Sequence, residues 1–165
     1  MKKLLVVSVV LATLAIVWGG QACAQDQKEM TFSGTDYWPL TMKVFPLDAD
    51  HVITQTDIMG VRVNDSGDGP FHRAATHIVG ISYTSKGREY RMVSFLTWVD
   101  KDGDKVVWEL SMSDTSSGKG KLIEGTGKCA GWQGTMDFTV QIVKGFPEGT
   151  FRGIVRDENI KITTK

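Results

Sequence analysis

Apolar and polar residues alternate with a period of two along most of the chain beyond residue 29. In the run 90–99, Tyr90, Met92, Ser94, Leu96 and Trp98 share one face, and Arg91, Val93, Phe95, Thr97 and Val99 share the other. Both faces are largely apolar, which marks a strand covered on both sides. Residues 106–112 place Val106, Trp108, Leu110 and Met112 on one face and Val107, Glu109 and Ser111 on the other. Between these runs lies Asp100-Lys101-Asp102-Gly103-Asp104-Lys105. Asp-Gly suits the positive-φ positions of a tight turn, so 88–113 is predicted to be one β-hairpin. Counting outward from Asp102-Gly103 puts Trp98 and Trp108 on the same side of paired strands, with a register set by the turn. Glu109 has the opposite parity and is expected outside or at a subunit contact.

Further strands are predicted at 30–35, 40–45, 50–63, 74–85, 117–124, 134–143 and 149–162. They are separated by clusters rich in Gly, Pro, Asn and Asp, of which Asn64-Asp65-Ser66-Gly67-Asp68-Gly69-Pro70 is the longest. No amphipathic helix of useful length and no internal repeat is present. Many short strands joined by turns predict an all-β fold, an antiparallel β-barrel of about eight strands. Closure of the barrel removes edges that would otherwise pair with other chains.

The first residues break this pattern. Met1-Lys2-Lys3 is a basic start, Leu4–Val17 carries no charge, and Ala22-Cys23-Ala24 has small residues at the −3 and −1 positions. This is the layout of a secretory signal, and the apolar run is shorter than the roughly 20 residues of a spanning helix. Residues 1–24 are therefore expected to be a signal peptide and 25–165 a single barrel domain, periplasmic or secreted. The alternative is a lipoprotein anchored at Cys23, although Gly20 and Gln21 fit a lipoprotein signal poorly. Loss of Lys2 and Lys3 turns 19 basic and 19 acidic residues into 17 and 19, a formal charge of −2. Nucleic acid is an unsuitable partner for such a surface, because phosphate binding needs a basic excess. No second apolar stretch is long enough to span a membrane. Cys129 becomes the only mature cysteine, which forbids an internal disulfide and predicts a small buried apolar residue.

The most distinctive stretch is Gly118–Phe138, GKGKLIEGTGKCAGWQGTMDF. It resembles the G-G-T-G-x-F/Y-x-G-x-x-G segment of the allene oxide cyclase-like and dirigent-like β-barrels. The resemblance extends over roughly 90–156, with Glu124 in place of the family's first glycine and Cys129 where an aromatic residue is common. It implies the allene oxide cyclase barrel-like fold. Gly125, Gly127, Gly131 and Gly134 then read as fold determinants at a barrel corner rather than ligand contacts. It also implies, more weakly, chemistry in an apolar lumen. The plant cyclases close an unsaturated epoxide into a ring, and the dirigent-like proteins steer radical coupling or eliminate water from phenolic compounds. The polar site residues of neither group map onto numbered positions here.

Candidate chemistry is sparse. His51, His72 and His77 make no metal-binding spacing, and no paired-cysteine, nucleophile-elbow or phosphate-loop motif occurs. No metal and no cofactor is expected. Asp100, Asp102 and Asp104 match the first ligands of an EF-hand loop, but Lys105 replaces its glycine and Ser111 its final glutamate, so the segment reads as a turn. His77 shares parity with Val79, Ile81 and Tyr83. The candidate lumen residues for ligand binding are Trp98, Trp108, Tyr83, His77 and Phe138. They suit a small apolar or aromatic ligand, although a packed core of the same residues is the plainer expectation. A cyclase or isomerase would instead need a buried ionisable group, with His77 and Glu124 as candidates. The third reading is a structural protein that forms a homo-oligomer through its outer apolar face.

Overall fold

The computed structural model describes residues 28–39, 42–86, 89–112, 114–144 and 151–164. The predicted signal segment and Cys23 lie outside them. Nine strands follow in order: β1 (Glu29–Pro39), β2 (Met42–Pro46), β3 (His51–Asn64), β4 (Ala75–Ser85), β5 (Glu89–Val99), β6 (Lys105–Met112), β7 (Ser117–Gly125), β8 (Gln133–Lys144) and β9 (Phe151–Thr163). Each predicted strand is present, with ends moved by a few residues. All pairings are antiparallel. The sheet runs β1-β9-β8-β7-β6-β5-β4-β3-β2, and an additional β1–β3 pairing closes eight strands into a barrel with β2 outside the ring. The long β3 serves both neighbours: Val61–Asn64 pair with β1, and Val52–Thr56 pair with β2.

The β5–β6 hairpin carries much of the core. Val99 pairs with Lys105, so the connection is the five residues 100–104 rather than a two-residue turn. The Asp100 N–H donates to the Asp104 carbonyl at 3.0 Å, the Gly103 N–H donates to the Asp100 carbonyl at 3.1 Å, and Gly103 has φ 86°. In this register Leu96 opposes Trp108 and Trp98 opposes Val106. The two tryptophans are therefore diagonal neighbours on the inner face, with ring centroids 5.1 Å apart. Leu96, Leu110, Ile160 and Ile162 complete a buried layer around them. Glu109 points outward, as its parity requires.

A bulge in β9 has the largest consequence for the lumen. Phe32 pairs with Ile160, but Gly34 pairs with Asp157; likewise Thr135 pairs with Lys161 and Asp137 with Glu158. β9 thus carries one residue more than its neighbours there, and Asn159 takes a φ of 51°. An extra residue reverses the alternation. Ile160 and Ile162 face inward on one side of it, and Val155 and Asp157 face inward on the other.

The glycine-rich connection from β7 to β8 contains a single 3₁₀ turn, Gly127–Cys129. Lys128 sits among three carboxylates of the neighbouring hairpin tip: Asp100, Asp102 at 2.9 Å and Asp104 at 3.6 Å. The cation at the acidic tip is therefore the chain's own ammonium. Gly127 has φ 55°, and a Cβ there would overlap the Asp104 carboxylate; at Gly125 a Cβ would overlap the Cys129 carbonyl. Both glycines are dictated by close approach at this corner. Gly127→Ala is expected to destabilise the barrel by more than about 1 kcal/mol, read from urea unfolding midpoints. An unchanged midpoint would show that the corner relaxes freely.

Candidate functional site

The closing seam β3–β1–β9 buries three charged residues. β1 alternates Met30, Phe32, Gly34, Asp36 and Trp38 toward the lumen, so Asp36 lies on an otherwise apolar face. Its Cα partner across the seam is Arg62 of β3. The β9 bulge adds Asp157 from the other side. Asp36, Arg62 and Asp157 are all fully buried. Arg62 Nη1 donates to Asp157 Oδ2 and lies 3.6 Å from Asp36 Oδ2, while Arg62 Nε donates to Asn64 Oδ1 at 3.1 Å. The guanidinium carbon sits 4.0 Å from the Trp98 ring centroid and 5.7 Å from that of Phe32. The cation is thus flanked by aromatic faces as well as by carboxylates.

One cation cannot neutralise two buried carboxylates. Burial raises the Asp36 pKa well above the usual carboxylate range, the neighbouring Asp157 charge raises it further, and Arg62 opposes both. Burial also raises Asp157, but the pull of Arg62 counters it. Burial and mutual repulsion thus favour the protonated form more strongly at Asp36, while Arg62 favours the charged form of Asp157. Several buried polar atoms lack a hydrogen-bond partner of good geometry: in the cluster both Asp36 oxygens, Asp157 Oδ1, Arg62 Nη2 and the Trp98 indole nitrogen, which faces Asp36, and elsewhere on the inner face Ser94 Oγ and the Trp108 indole nitrogen. Fully buried polar atoms are ordinarily paired.

Asn64 links the cluster to the loop that covers this end of the barrel. Its Nδ2 donates to the Asp68 carbonyl at 2.9 Å and the Pro70 carbonyl at 2.8 Å. That loop inserts Phe71, which is 5 % exposed and packs 5.7 Å from Trp98 and 6.3 Å from Trp132, centroid to centroid. Phe71 and Arg73 hold positive φ values of 58° and 59°, uncommon for such side chains. Phe71 borders a recess of about 250 Å³ shared with Pro70, His72, Lys128, Cys129 and Trp132. A second concavity of about 1620 Å³ is an open groove on the outer side of β6–β9, lined by residues such as Lys119, Lys121, Asp137 and Lys161.

Of the residues expected in the lumen, Trp98, Trp108 and Phe138 face inward and are buried. His77 and Tyr83 do not, which corrects that expectation. β4 turns Thr76 and Ile78 inward, so the odd-numbered residues lie on the outer face. His77 pairs with Asp57 at 2.8 Å, and Tyr83 stacks on His51 with centroids 6.0 Å apart. Glu124 is exposed as well. Cys129 is buried, and burial together with the Asp104 and Asp100 charges pushes its thiol up to about 11, which makes it a poor nucleophile. Asp36, Arg62 and Asp157 were not anticipated. The signal for Asp36 was the alternation from Met30 to Trp38; Arg62 and Asp157 gave none.

Two outcomes follow from the buried cluster. A raised folded pKa makes Asp36 a source of stability at low pH that is lost as pH rises through that pKa. Wild-type stability should therefore fall toward alkaline pH more steeply than that of Asp36→Asn, in urea midpoints taken from about pH 5 to about pH 9; parallel profiles would contradict the assignment. Asp157→Ala leaves Arg62 without its ionised partner and should cost about 3–5 kcal/mol. The double variant Arg62→Met/Asp157→Leu should be less damaged than Asp157→Ala alone, by the same unfolding measurement.

No family model matches the chain, and no curated protein matches it. Among solved structures it is similar to the pterocarpan synthase dirigent protein GePTS1, with 13% sequence identity, 86% of this chain and 88% of that chain covered, and a TM-score of 0.50. At that identity the likeness concerns architecture, and it agrees with the closed antiparallel ring of eight strands. The chain folds as a dirigent-like β-barrel.

Proposed function

We propose that this is an exported barrel protein that takes a small aromatic or apolar molecule carrying oxygen acceptors into its lumen, beside Trp98, Trp108 and the Asp36–Arg62–Asp157 cluster. The observation that carries the reading is the set of buried, unpartnered polar atoms there. Three of them are donors that no carboxyl of the cluster receives: Arg62 Nη2, the Trp108 indole N–H and the Ser94 hydroxyl. A ligand that supplies carbonyl, ether or hydroxyl oxygens would satisfy them, and the indole rings would cover its flat apolar part. The cluster is a poor solution for stability alone, because well-packed apolar residues generally replace a buried ion pair without loss. The tryptophans are fully buried, so entry requires movement of a plug. Phe71 lies between Trp98 and the 250 Å³ recess and is the natural one. Export rests on the pattern of residues 1–24.

A second reading is favoured by one specific feature: two carboxyl groups, Asp36 and Asp157, buried together against the single Arg62 cation, with burial favouring the protonated form of Asp36. That pairing suits proton donation and acceptance on one bound molecule, as in an isomerisation or the loss of water. The solved neighbour is a synthase by name, which adds weight to an enzymatic role without transferring its substrate.

The test is native mass spectrometry of the protein recovered from its export compartment. A small mass released on denaturation is expected from wild type and should be lost in Trp98→Ala. Bare protein in both wild type and Phe71→Ala would sink the binding reading. Under pure binding, Asp36→Asn retains the same mass; under catalysis it retains a different one, the unconverted substrate.

A further inference from the structure

The loop 65–73 over this end of the barrel is held from one residue. Asn64 grips it at three points: its side-chain Nδ2 donates to the Asp68 and Pro70 carbonyls, and its backbone N–H donates to His72 Nδ1 at 3.2 Å. The third contact carries a chemical condition. A ring nitrogen accepts a hydrogen bond only while it has no proton, so the contact requires a neutral imidazole with its hydrogen on Nε2. Protonation turns Nδ1 into a donor and sets two N–H groups against each other. His51 and His77 respond in the opposite sense. They lie 2.7 Å from Asp48 and 2.8 Å from Asp57, so a proton strengthens both contacts. The groups around the recess beside His72 do not offer that compensation. At the β5–β6 tip, Asp100 is already engaged: its Oδ1 accepts the Asp102 and Asp104 N–H groups, and its Oδ2 accepts from Lys128. Lys101 and Lys128 bring positive charge to the same recess, and Cys129 brings a neutral thiol. On the loop itself, Asp68 and Arg73 are exposed and of opposite charge.

We propose that His72 is an acid-sensitive latch on the Phe71 plug: the neutral ring holds the loop over the lumen, and the protonated ring releases it. The residues on either side of it are under strain. Phe71 and Arg73 both hold positive φ, a conformation that side chains of this size keep only where surrounding contacts fix it. The other bonds within this turn are long: His72 N–H donates to the Gly69 carbonyl at 3.3 Å and Ala74 N–H to the Phe71 carbonyl at 3.2 Å. Loss of the Nδ1 contact therefore frees a segment that little else restrains. Phe71 packs on Trp98 and Trp132, so its displacement uncovers both indole faces. The closed and open states differ in their affinity for one proton, which is the bias a two-state element needs. Imidazole is the side chain that changes charge between about pH 5 and about pH 8, so release follows mild acidification. Entry of a ligand through the opened plug rests on the binding reading above; the latch does not.

Acrylamide quenching of tryptophan fluorescence in the full chain, without ligand, reads the latch alone, so its failure leaves the binding reading standing. Phe71→Ala supplies the value for uncovered indoles. Quenching of wild type should rise at least about twofold toward that value between about pH 8 and about pH 5, and reverse on return. His72→Asn places a carbonyl oxygen where Nδ1 accepts and cannot titrate; it should keep the low value at both ends of the range. His72→Ala has no acceptor and should show raised quenching with no pH step. If His72→Asn fails to fold, His72→Ala still decides which group titrates. A wild type without a step overturns the proposal. So does a step that persists in His72→Ala, which assigns it to another group such as Asp36. A step that comes with loss of the strand signal in far-UV circular dichroism is unfolding and overturns it as well.

Discussion

Closure of this barrel rests on four Cα pairs between β1 and β3, from Gly34–Asn64 to Tyr37–Val61. Every other seam is longer. The only fully buried charges among the described residues lie there: Asp36 and Arg62 are themselves one of the four pairs, and Asp157 reaches the same point from the strand on the other side of β1. A register slip of one residue would turn Arg62 to solvent and bring Val61 or Val63 inside. It would also leave Asp157 buried without a cation, which is costly. The ion cluster therefore discriminates between registers more strongly than an apolar seam would. The loop beyond β3 is tied to the same point, because Asn64 receives a hydrogen bond from Arg62 and donates two to the loop. Barrel closure, the plug at Phe71 and the chemistry of the lumen meet in one group of side chains.

Much of the architecture was legible from alternation and turn residues, because strands of eight or more residues leave a period-two trace and glycines mark their ends. The β5–β6 hairpin and the inward placement of Trp98 and Trp108 followed from that trace; their diagonal offset did not, since it depends on a loop of five residues. The buried cluster was hidden for three separate physical reasons. Asp36 lies one residue past the end of the strand read at 30–35, although the inward alternation continues to Trp38. Arg62 stands between Val61 and Val63, so the rule that apolar residues face the core assigns that strand to the wrong side. Asp157 has the opposite parity from Ile160 and Ile162, and only the extra residue at Asn159 brings it inward. The same inversion explains His77 and Tyr83. Their neighbours Val79 and Ile81 look like core residues in sequence but lie on the outer surface.

The acidic hairpin tip shows how local chemistry is resolved by long-range contact. Asp100, Asp102 and Asp104 in sequence suggest a cation site, yet the group among them is Lys128 from the β7–β8 corner. This contact explains why glycine recurs at that corner: Gly127 brings the backbone against Asp104, where a side chain would not fit. The segment that carried the family resemblance is thus a mechanical part of the fold. The residues that suggest chemistry lie elsewhere, on β1, β3 and β9. Glycine spacing located the architecture and was silent about the site.

A single physical trade unites the inner and outer surfaces of β3. In a barrel whose lumen were wholly apolar, Val61 and Val63 would face inward and the strand's polar residues would face water. Here Arg62 and Asn64 take the inward positions, which forces the β-branched residues outward beside Met59. Charge inside and apolar surface outside are therefore two consequences of one alternation, since a strand cannot change one face without changing the other. Exposed apolar side chains of this kind are unfavourable in water. The strand that gives the barrel its buried cation therefore also sets its exposed apolar residues on the outer face.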